Sequence, residues 1–358
     1  MTCDVLLCGT GSFAARIAFD LAATARQPVR VVLTGRNRDR LGWLVTASNA
    51  RAQIFGAAAR FSGVPSDLLA AGEPERLVAQ HNPRIVVQAA SVQTSSVIAR
   101  SGDAWSQLVR DGGLSATALA QAAISLKMAQ AITADGNRSL FVNCSFPDVV
   151  NGMIEAAGHR VLCGFGNVGI LASVFAGLRD LAPERLRMLA HYQNLAPFRQ
   201  ASGTRTGRPP RVWMDGAEIA DVHDVFREVR LTPEPVIDIS GATGVPVITA
   251  IVEGREWRGH LPGPNGLPGG YPVRLRDGTM ALDLPDGLSE QEAVQWNLSF
   301  EQDNGLVVSQ TGDVRFNGRL AECLRAHDSA LANGFHMRDF DAAFTAMTQL
   351  RAQLEART

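Results

Sequence analysis

The chain has 358 residues, 46% of them hydrophobic and 19% charged, with a formal net charge of −1 at pH 7. That length allows two lobes or one large domain with a sizeable core. The balanced charge gives no basic stripe for nucleic acid, and no apolar run reaches the roughly 20 residues that span a bilayer.

The N-terminus begins directly with a predicted strand, Val5-Leu6-Leu7-Cys8, so no signal peptide is expected. Gly9-Thr10-Gly11-Ser12-Phe13-Ala14 follows, and then an apolar helix. This is G-x-G-x-x-A between a strand and a helix. Gly9 allows the sharp turn and Gly11 lets a pyrophosphate approach the main chain. Ala14 keeps the helix near the sheet, and the free N–H groups at the helix start favour the phosphate charge. Ser12 and Phe13 belong to the same turn. A second strand at 29–33 completes one βαβ unit, the context that gives the fingerprint its meaning. It ends in Thr34-Gly35-Arg36-Asn37-Arg38. An acid there would bond the ribose 2′-hydroxyl of NAD. Gly35, flanked by Arg36 and Arg38, suits a 2′-phosphate instead. The expected cofactor is NADP, with NAD as the alternative.

Residues 1–150 read as a doubly wound α/β domain. A buried strand is predicted at 84–89, an alanine-rich helix at 116–134 and a strand at 140–143. Parallel sheets bind ligands at their C-terminal edge, which makes Ser91, Gln93 and Asn143 candidates for a cofactor cleft. One more strand is predicted at 160–166 and a helix through Leu178. Residues 199–211 (RQASGTRTGRPPR) and 259–272 (GHLPGPNGLPGGYP) read as loops by composition. Strands at 272–276 and 279–284 form a hairpin across Asp277-Gly278. Ser289 and Glu292 make a capping box, and the tail at 340–356 is an amphipathic helix. The domain limits read as 1–150, 151–305 and a C-terminal helical extension at 306–358.

Five cysteines, an odd number without a C-x-x-C pair, fit free thiols in a cytoplasmic protein and no zinc site. The helices at 116–134 and 340–356 carry more Ala, Leu and Met than one buried face requires, which predicts self-association.

Four stretches in this order resemble the lactate/malate dehydrogenase superfamily: 8–14 (CGTGSFA), 89–113 leading into the helix with ALAQA, 141–150 (FVNCSFPDVV), and 265–292 (NGLPGGYPVRLRDGTMALDLPDGLSEQE). The resemblance runs from residue 4 to about 305. It implies a Rossmann domain followed by an α+β substrate and oligomerisation domain, and a homodimer or homotetramer acting on a small molecule. Asn143 would sit near nicotinamide and substrate. His191 falls where the family keeps its catalytic histidine, a residue whose pKa suits proton transfer near neutral pH. The family's orienting Asp and carboxylate-clamping Arg are replaced by Ile170 and Ser173, and its first loop arginine by Gln93-Thr94. Arg100 and Asn167 remain as substrate-binding candidates. Lactate and malate are therefore not the expected substrates. A carbonyl or imine carbon is. The segment Cys163-Gly164-Phe165-Gly166-Asn167-Val168-Gly169-Ile170 also resembles the NAD-dependent, metal-using family 4 glycosidases, but Gly166 stands where they place a ligand Cys. Two further readings are a non-catalytic dinucleotide-binding protein and a metal-assisted, glycosidase-like enzyme.

Overall fold

The computed structural model describes residues 2–93, 102–232 and 236–357. The first half alternates strand and helix: β1 (Val5–Cys8), α1 (Ser12–Thr24), β2 (Val29–Gly35), α2 (Arg38–Phe55), β3 (Ala59–Pro65), α3 (Glu73–His81), β4 (Ile85–Gln88), α4 (Ala104–Gly112), α5 (Ala118–Ala134) and β5 (Leu140–Asn143). The strands form one parallel sheet in the order β3-β2-β1-β4-β5. All four residues of β1 and of β4 are buried. Helices cover both faces of such a sheet, so its central strands read as continuous apolar runs. The chain reverses its winding between β1 and β4, and a crevice at that switch point is where doubly wound sheets take ligands.

The strand predicted at 160–166 shrinks to a single bridge, Val142 with Cys163. Leu162 and Cys163 still bond to Phe141 and Asn143. Then Gly164 turns away to the Pro262 carbonyl and packs so tightly on Pro147 that a Cβ would lie 2.1 Å from its ring.

The second body holds α6 (Pro147–Ala156), α7 (Val168–Arg179), β6 (Leu186–Leu189), β7 (Arg211–Met214), β8 (Ala217–Glu218), α8 (Val222–Val225), α9 (Ile237–Ala242), α10 (Val245–Glu253), β9 (Trp257–Pro262), β10 (Gly270–Arg276), β11 (Thr279–Leu282) and α11 (Glu290–Asp303). Two antiparallel sheets, β6-β7-β8 and β11-β10-β9, meet at a bridge between Ala190 and Gly270. The expected hairpin turn is present, with Asp277 and Gly278 both at positive φ, as is the Ser289–Glu292 capping box. The stretch 259–272 is not all loop. Its ends pair as β9 and β10, because Leu261 and Tyr271 both bury their side chains in the core, and only the middle stays a turn.

The tail is not purely helical. β12 (Gly305–Val308), β13 (Asp313–Asn317), α12 (Gly318–Arg325), α13 (Ser329–Ala332), β14 (Phe335–His336) and α14 (Phe340–Glu355) include a three-stranded sheet, β12-β13-β14. This tail joins the core of the first half. Leu320, Leu324, Met347 and Leu350 share one cluster with Trp105, Leu119, Met128 and Phe141. The apolar excess of α5 and α14 is consumed here, inside the chain, since α14 packs on α5. Among the described residues, the large apolar side chains left exposed are Trp43, Ile54 and Phe55 on α2, and Leu178 on α7.

Candidate active site

The glycine turn has the geometry that its sequence implies. Gly9 adopts φ +127, and a Cβ there would come within 3.1 Å of the Ala89 carbonyl carbon. Only glycine tolerates both constraints. Gly11 is the opposite case: a Cβ would meet nothing within 4 Å, so the main chain is open to an approaching group. Gly11 is also the N-cap of α1, and no side chain caps it. The helix start therefore keeps unsatisfied N–H groups and the positive end of its dipole. Ser12 is exposed, Phe13 half-buried and Ala14 fully buried against the sheet.

At the end of β2, Gly35 leaves room for Thr10, whose methyl would stand 2.8 Å from a Cβ. Arg36 and Arg38 are exposed. Asn37 caps α2 by accepting the Arg40 N–H at 2.9 Å, and the Arg40 side chain donates to the Thr10 carbonyl at 3.2 Å. No carboxylate follows β2 directly. The exposed residues directly after β2 are Arg36, Asn37 and Arg38, with no acid among them.

Ser91 is half-buried beyond β4. Gln93 is 5% exposed, with neither amide atom bonded. Asn143 is buried and fully engaged. It accepts from Ser125 Oγ and the Ser145 N–H, and donates to the Ser145 carbonyl and Asn151 Oδ1. It ties the end of β5 to α6 and has no unused polar atom. Arg100 and Thr94 lie outside the described residues.

His191 starts a one-turn helix after β6 and is 0% exposed. Its ring stacks on Phe300, with centroids 4.8 Å apart, and the Arg208 guanidinium covers that phenyl ring at 3.6 Å. Nδ1 accepts the Gln193 N–H at 3.5 Å. A neutral ring with Nδ1 accepting carries its proton on Nε2. Nε2 lies 3.3 Å from Glu301 Oε1. The pair is close but not aligned, and both atoms lack a hydrogen bond. The other oxygen, Glu301 Oε2, accepts from Ser115 Oγ at 2.7 Å and the Leu306 N–H at 2.6 Å.

A second buried acid adjoins the histidine. Asp148 accepts from the Tyr192 N–H at 2.9 Å and from Asn167 Nδ2. Burial pushes its carboxyl above the usual range, while nearby His191 and these hydrogen bonds pull it back. Two residues near it hold strained backbones: Phe146 at φ 51 and Asn167 at φ 40. Left-handed backbone is rare for a bulky side chain and is kept only where the surroundings enforce it. The positions noted for a missing acid and arginine cannot substitute: Ile170 is buried in an apolar cluster and Ser173 is exposed. Glu301, unmarked by any motif, brings the carboxylate that sequence reading found absent.

Contacts link this cluster to the glycine turn. Gly241 of α9 lies against α1, where a Cβ would stand 2.6 Å from Arg16 Cγ and 3.3 Å from the Phe13 carbonyl. Thr243, just past α9, accepts the Gly166 N–H at 3.1 Å. Asn167 then reaches Asp148. A cavity of about 420 Å³ opens beside Asp148 and Glu301.

Among the described residues no group of three or more His, Cys, Asp or Glu side chains has the arrangement of a metal site. Cys163 is fully buried, and that burial pushes its thiol far up. No described helix is long and apolar enough to cross a membrane.

No protein-family model and no curated protein matches the sequence. Solved structures do match in fold. Malate dehydrogenase from Salinibacter ruber aligns over 83% of this chain and 96% of its own, with a TM-score of 0.52 and 14% identity. Lactate dehydrogenase from Eimeria maxima, solved with NADH and oxamate, aligns over 84% and 92%, with a TM-score of 0.53 and 13% identity. Malate dehydrogenase from Picrophilus torridus aligns over 84% and 95%, with a TM-score of 0.55 and 13% identity. The strand order, the antiparallel second body and these alignments agree: the chain has the lactate/malate dehydrogenase fold.

Proposed function

We propose that the protein is an NADP(H)-dependent oxidoreductase, with NAD(H) as the alternative cofactor, acting on a carbonyl or imine carbon of a small molecule. The observation that carries this reading is the open, uncapped glycine turn at the β1/β4 switch point, beside arginines and no acid. The N–H groups at the start of α1 would hold the pyrophosphate, and Arg36 and Arg38 the 2′-phosphate. When bound, the nicotinamide supplies or takes the hydride. His191 would hold or release the matching proton at Nε2, its ring fixed by the stack on Phe300 and by the Gln193 N–H at Nδ1. Asn143, with all its polar atoms used within the chain, would position the end of β5. Asn167 would act through Asp148, and Ser91 would line the cleft. The fold relatives are named for lactate and malate, but a clamp for a carboxylate substrate is missing from Ile170 and Ser173.

One observation favours a second reading, a non-catalytic dinucleotide-binding protein: the His191 ring has no exposed surface. A homodimer or homotetramer in the cytoplasm completes the proposal, supported by the exposed Trp43, Ile54 and Phe55 of α2. The test is titration with NADPH and NADH followed by nicotinamide fluorescence, then hydride transfer to a panel of ketones and imines, with light scattering for the mass. The expected result is tighter binding of NADPH, and turnover lost on His191→Asn with binding retained. No binding of either dinucleotide at millimolar concentration overturns the whole reading. Binding without turnover in any variant supports the second.

A further inference from the structure

Three arginines stand at the start of α2: Arg36 just before the Asn37 cap, and Arg38 and Arg40 in the first turn. All three are exposed. Among the described residues Arg36 and Arg38 make no hydrogen bond and no ion pair. Arg40 differs. Its backbone N–H is held by the Asn37 side chain at 2.9 Å, and its Nε donates to the Thr10 carbonyl at 3.2 Å. Thr10 is the residue between Gly9 and Gly11, and its methyl group lies against Gly35, where a Cβ would stand 2.8 Å away. The Arg40 guanidinium is therefore docked on the glycine turn itself, at the seam between that turn and the end of β2.

Docking through Nε leaves Nη1 and Nη2 without a partner among the described residues. Their N–H groups remain for a ligand, and a planar fork of donors matches phosphate oxygens. The side chain is also held before any ligand arrives, so binding to it orders less than binding to a free arginine does. No ion pair accounts for the charge. A cation in the first turn of a helix faces the positive end of the helix dipole, an unfavourable place until an anion arrives. One acid approaches the end of β2 from the side of β3. Ser66 donates its N–H to the Gly35 carbonyl at 3.2 Å and its Oγ to Glu73 at 2.7 Å. Arg76 grips the same Glu73 through Nε and Nη2, each at 2.9 Å, so that carboxylate is already engaged. Asp39, exposed in the first turn of α2, is the acid beside Arg40 in the sequence.

We infer that Arg40 is the anchor for the 2′-phosphate of the adenosine ribose, and so the residue that sets the preference between the two dinucleotides. Arg36 and Arg38 then add charge around a phosphate that Arg40 places. This assignment rests on the dinucleotide reading above and adds to it a residue and an order among the three arginines.

The test is calorimetric titration of the full chain with adenosine 2′,5′-bisphosphate, adenosine 5′-phosphate, NADPH and NADH. Arg40→Met keeps the apolar stem and removes the fork. It is expected to weaken the bisphosphate and NADPH by about tenfold or more, to leave NADH within about twofold, and to leave the melting temperature unchanged. Arg40→Lys keeps the charge without the fork and is expected to fall between wild type and Arg40→Met. Arg36→Met and Arg38→Met are each expected to weaken NADPH less than Arg40→Met does. Equal losses of NADPH and NADH in Arg40→Met would put the guanidinium on the pyrophosphate and overturn the assignment. Undiminished NADPH binding in that variant, or a larger loss from Arg36→Met or Arg38→Met, would overturn it too. So would a wild-type chain that prefers NADH, which would give the ribose to Asp39. In each of these cases a dinucleotide still binds and the dinucleotide reading stands. A wild-type chain that binds none of the four nucleotides overturns that reading and this assignment with it.

Discussion

His191 and Glu301 lie far apart in the sequence, and neither carries a motif. The glutamate has two jobs, one per oxygen. Oε2 satisfies Leu306 N–H and Ser115, and Oε1 faces His191. Gly305 is part of the fit, since a Cβ there would fall 1.9 Å from Oε2. Glu301→Ala leaves a buried N–H and hydroxyl unsatisfied and a histidine without its counterpart, which costs about 3 kcal/mol. Glu301→Gln keeps an acceptor oxygen for Leu306 and Ser115 and is expected to cost much less. Urea unfolding of the two variants checks this. Equal losses would mean that shape, not hydrogen bonding, is what the glutamate supplies. A pairing made by the approach of α11 to the end of β6 leaves no local trace. The histidine is therefore legible only through a resemblance, and the α7 positions that the resemblance assigns to its acid and arginine hold Ile170 and Ser173.

The first βαβ element was legible because its constraints are local. A turn between a strand and a helix three residues later forces glycine at fixed positions, and the sequence records them. The two glycines nevertheless do different work, which only the structure separates. Gly9 is held by backbone conformation and by the Ala89 carbonyl carbon at 3.1 Å; Gly11 is held by neither. Gly9→Val is thus expected to lower stability by about 1–3 kcal/mol through backbone strain alone, with the close approach adding to it. Gly11→Val is expected to leave the melting temperature within a few degrees of wild type and to remove dinucleotide binding, because its side chain enters only the space kept for the ligand. Thermal melts beside NADPH titrations distinguish these outcomes. Tight NADPH binding by Gly11→Val would remove the glycine turn from the site. Elements set by tertiary pairing were less legible. The segment 259–272 has loop composition, yet its ends form strands because each supplies the other's backbone partners. The strand predicted at 160–166 stops because Gly164 meets Pro147, a contact no local pattern encodes.

At the scale of the molecule, the tail is part of the core. β12 follows α11 directly, α12 lies on α4, and α14 lies on α5 and α4. The penultimate described residue of the tail, Ala356, is followed by Arg357, whose carbonyl accepts the Ala104 N–H at the start of α4. The apolar helices at 116–134 and 340–356 each supply part of the other's cover, and composition cannot separate such internal packing from self-association. Six tail side chains with at most 6% exposure, Leu306, Phe316, Leu320, Leu324, Met347 and Leu350, belong to the cluster that holds Leu6, Val86 and Phe141. At about 1.5–3 kcal/mol each, their burial contributes about 9–18 kcal/mol. The net stability of a folded domain is about 5–15 kcal/mol. Even after allowance for a compact unfolded chain, the tail's share is comparable with the whole margin. A chain ending at Asn304 is therefore expected to lack a cooperative thermal transition and to expose apolar surface to a hydrophobic dye, whereas the full chain melts in one step. A truncated chain that stays soluble and melts cooperatively would show that the dehydrogenase-like body carries its own core and that the tail is an addition to it.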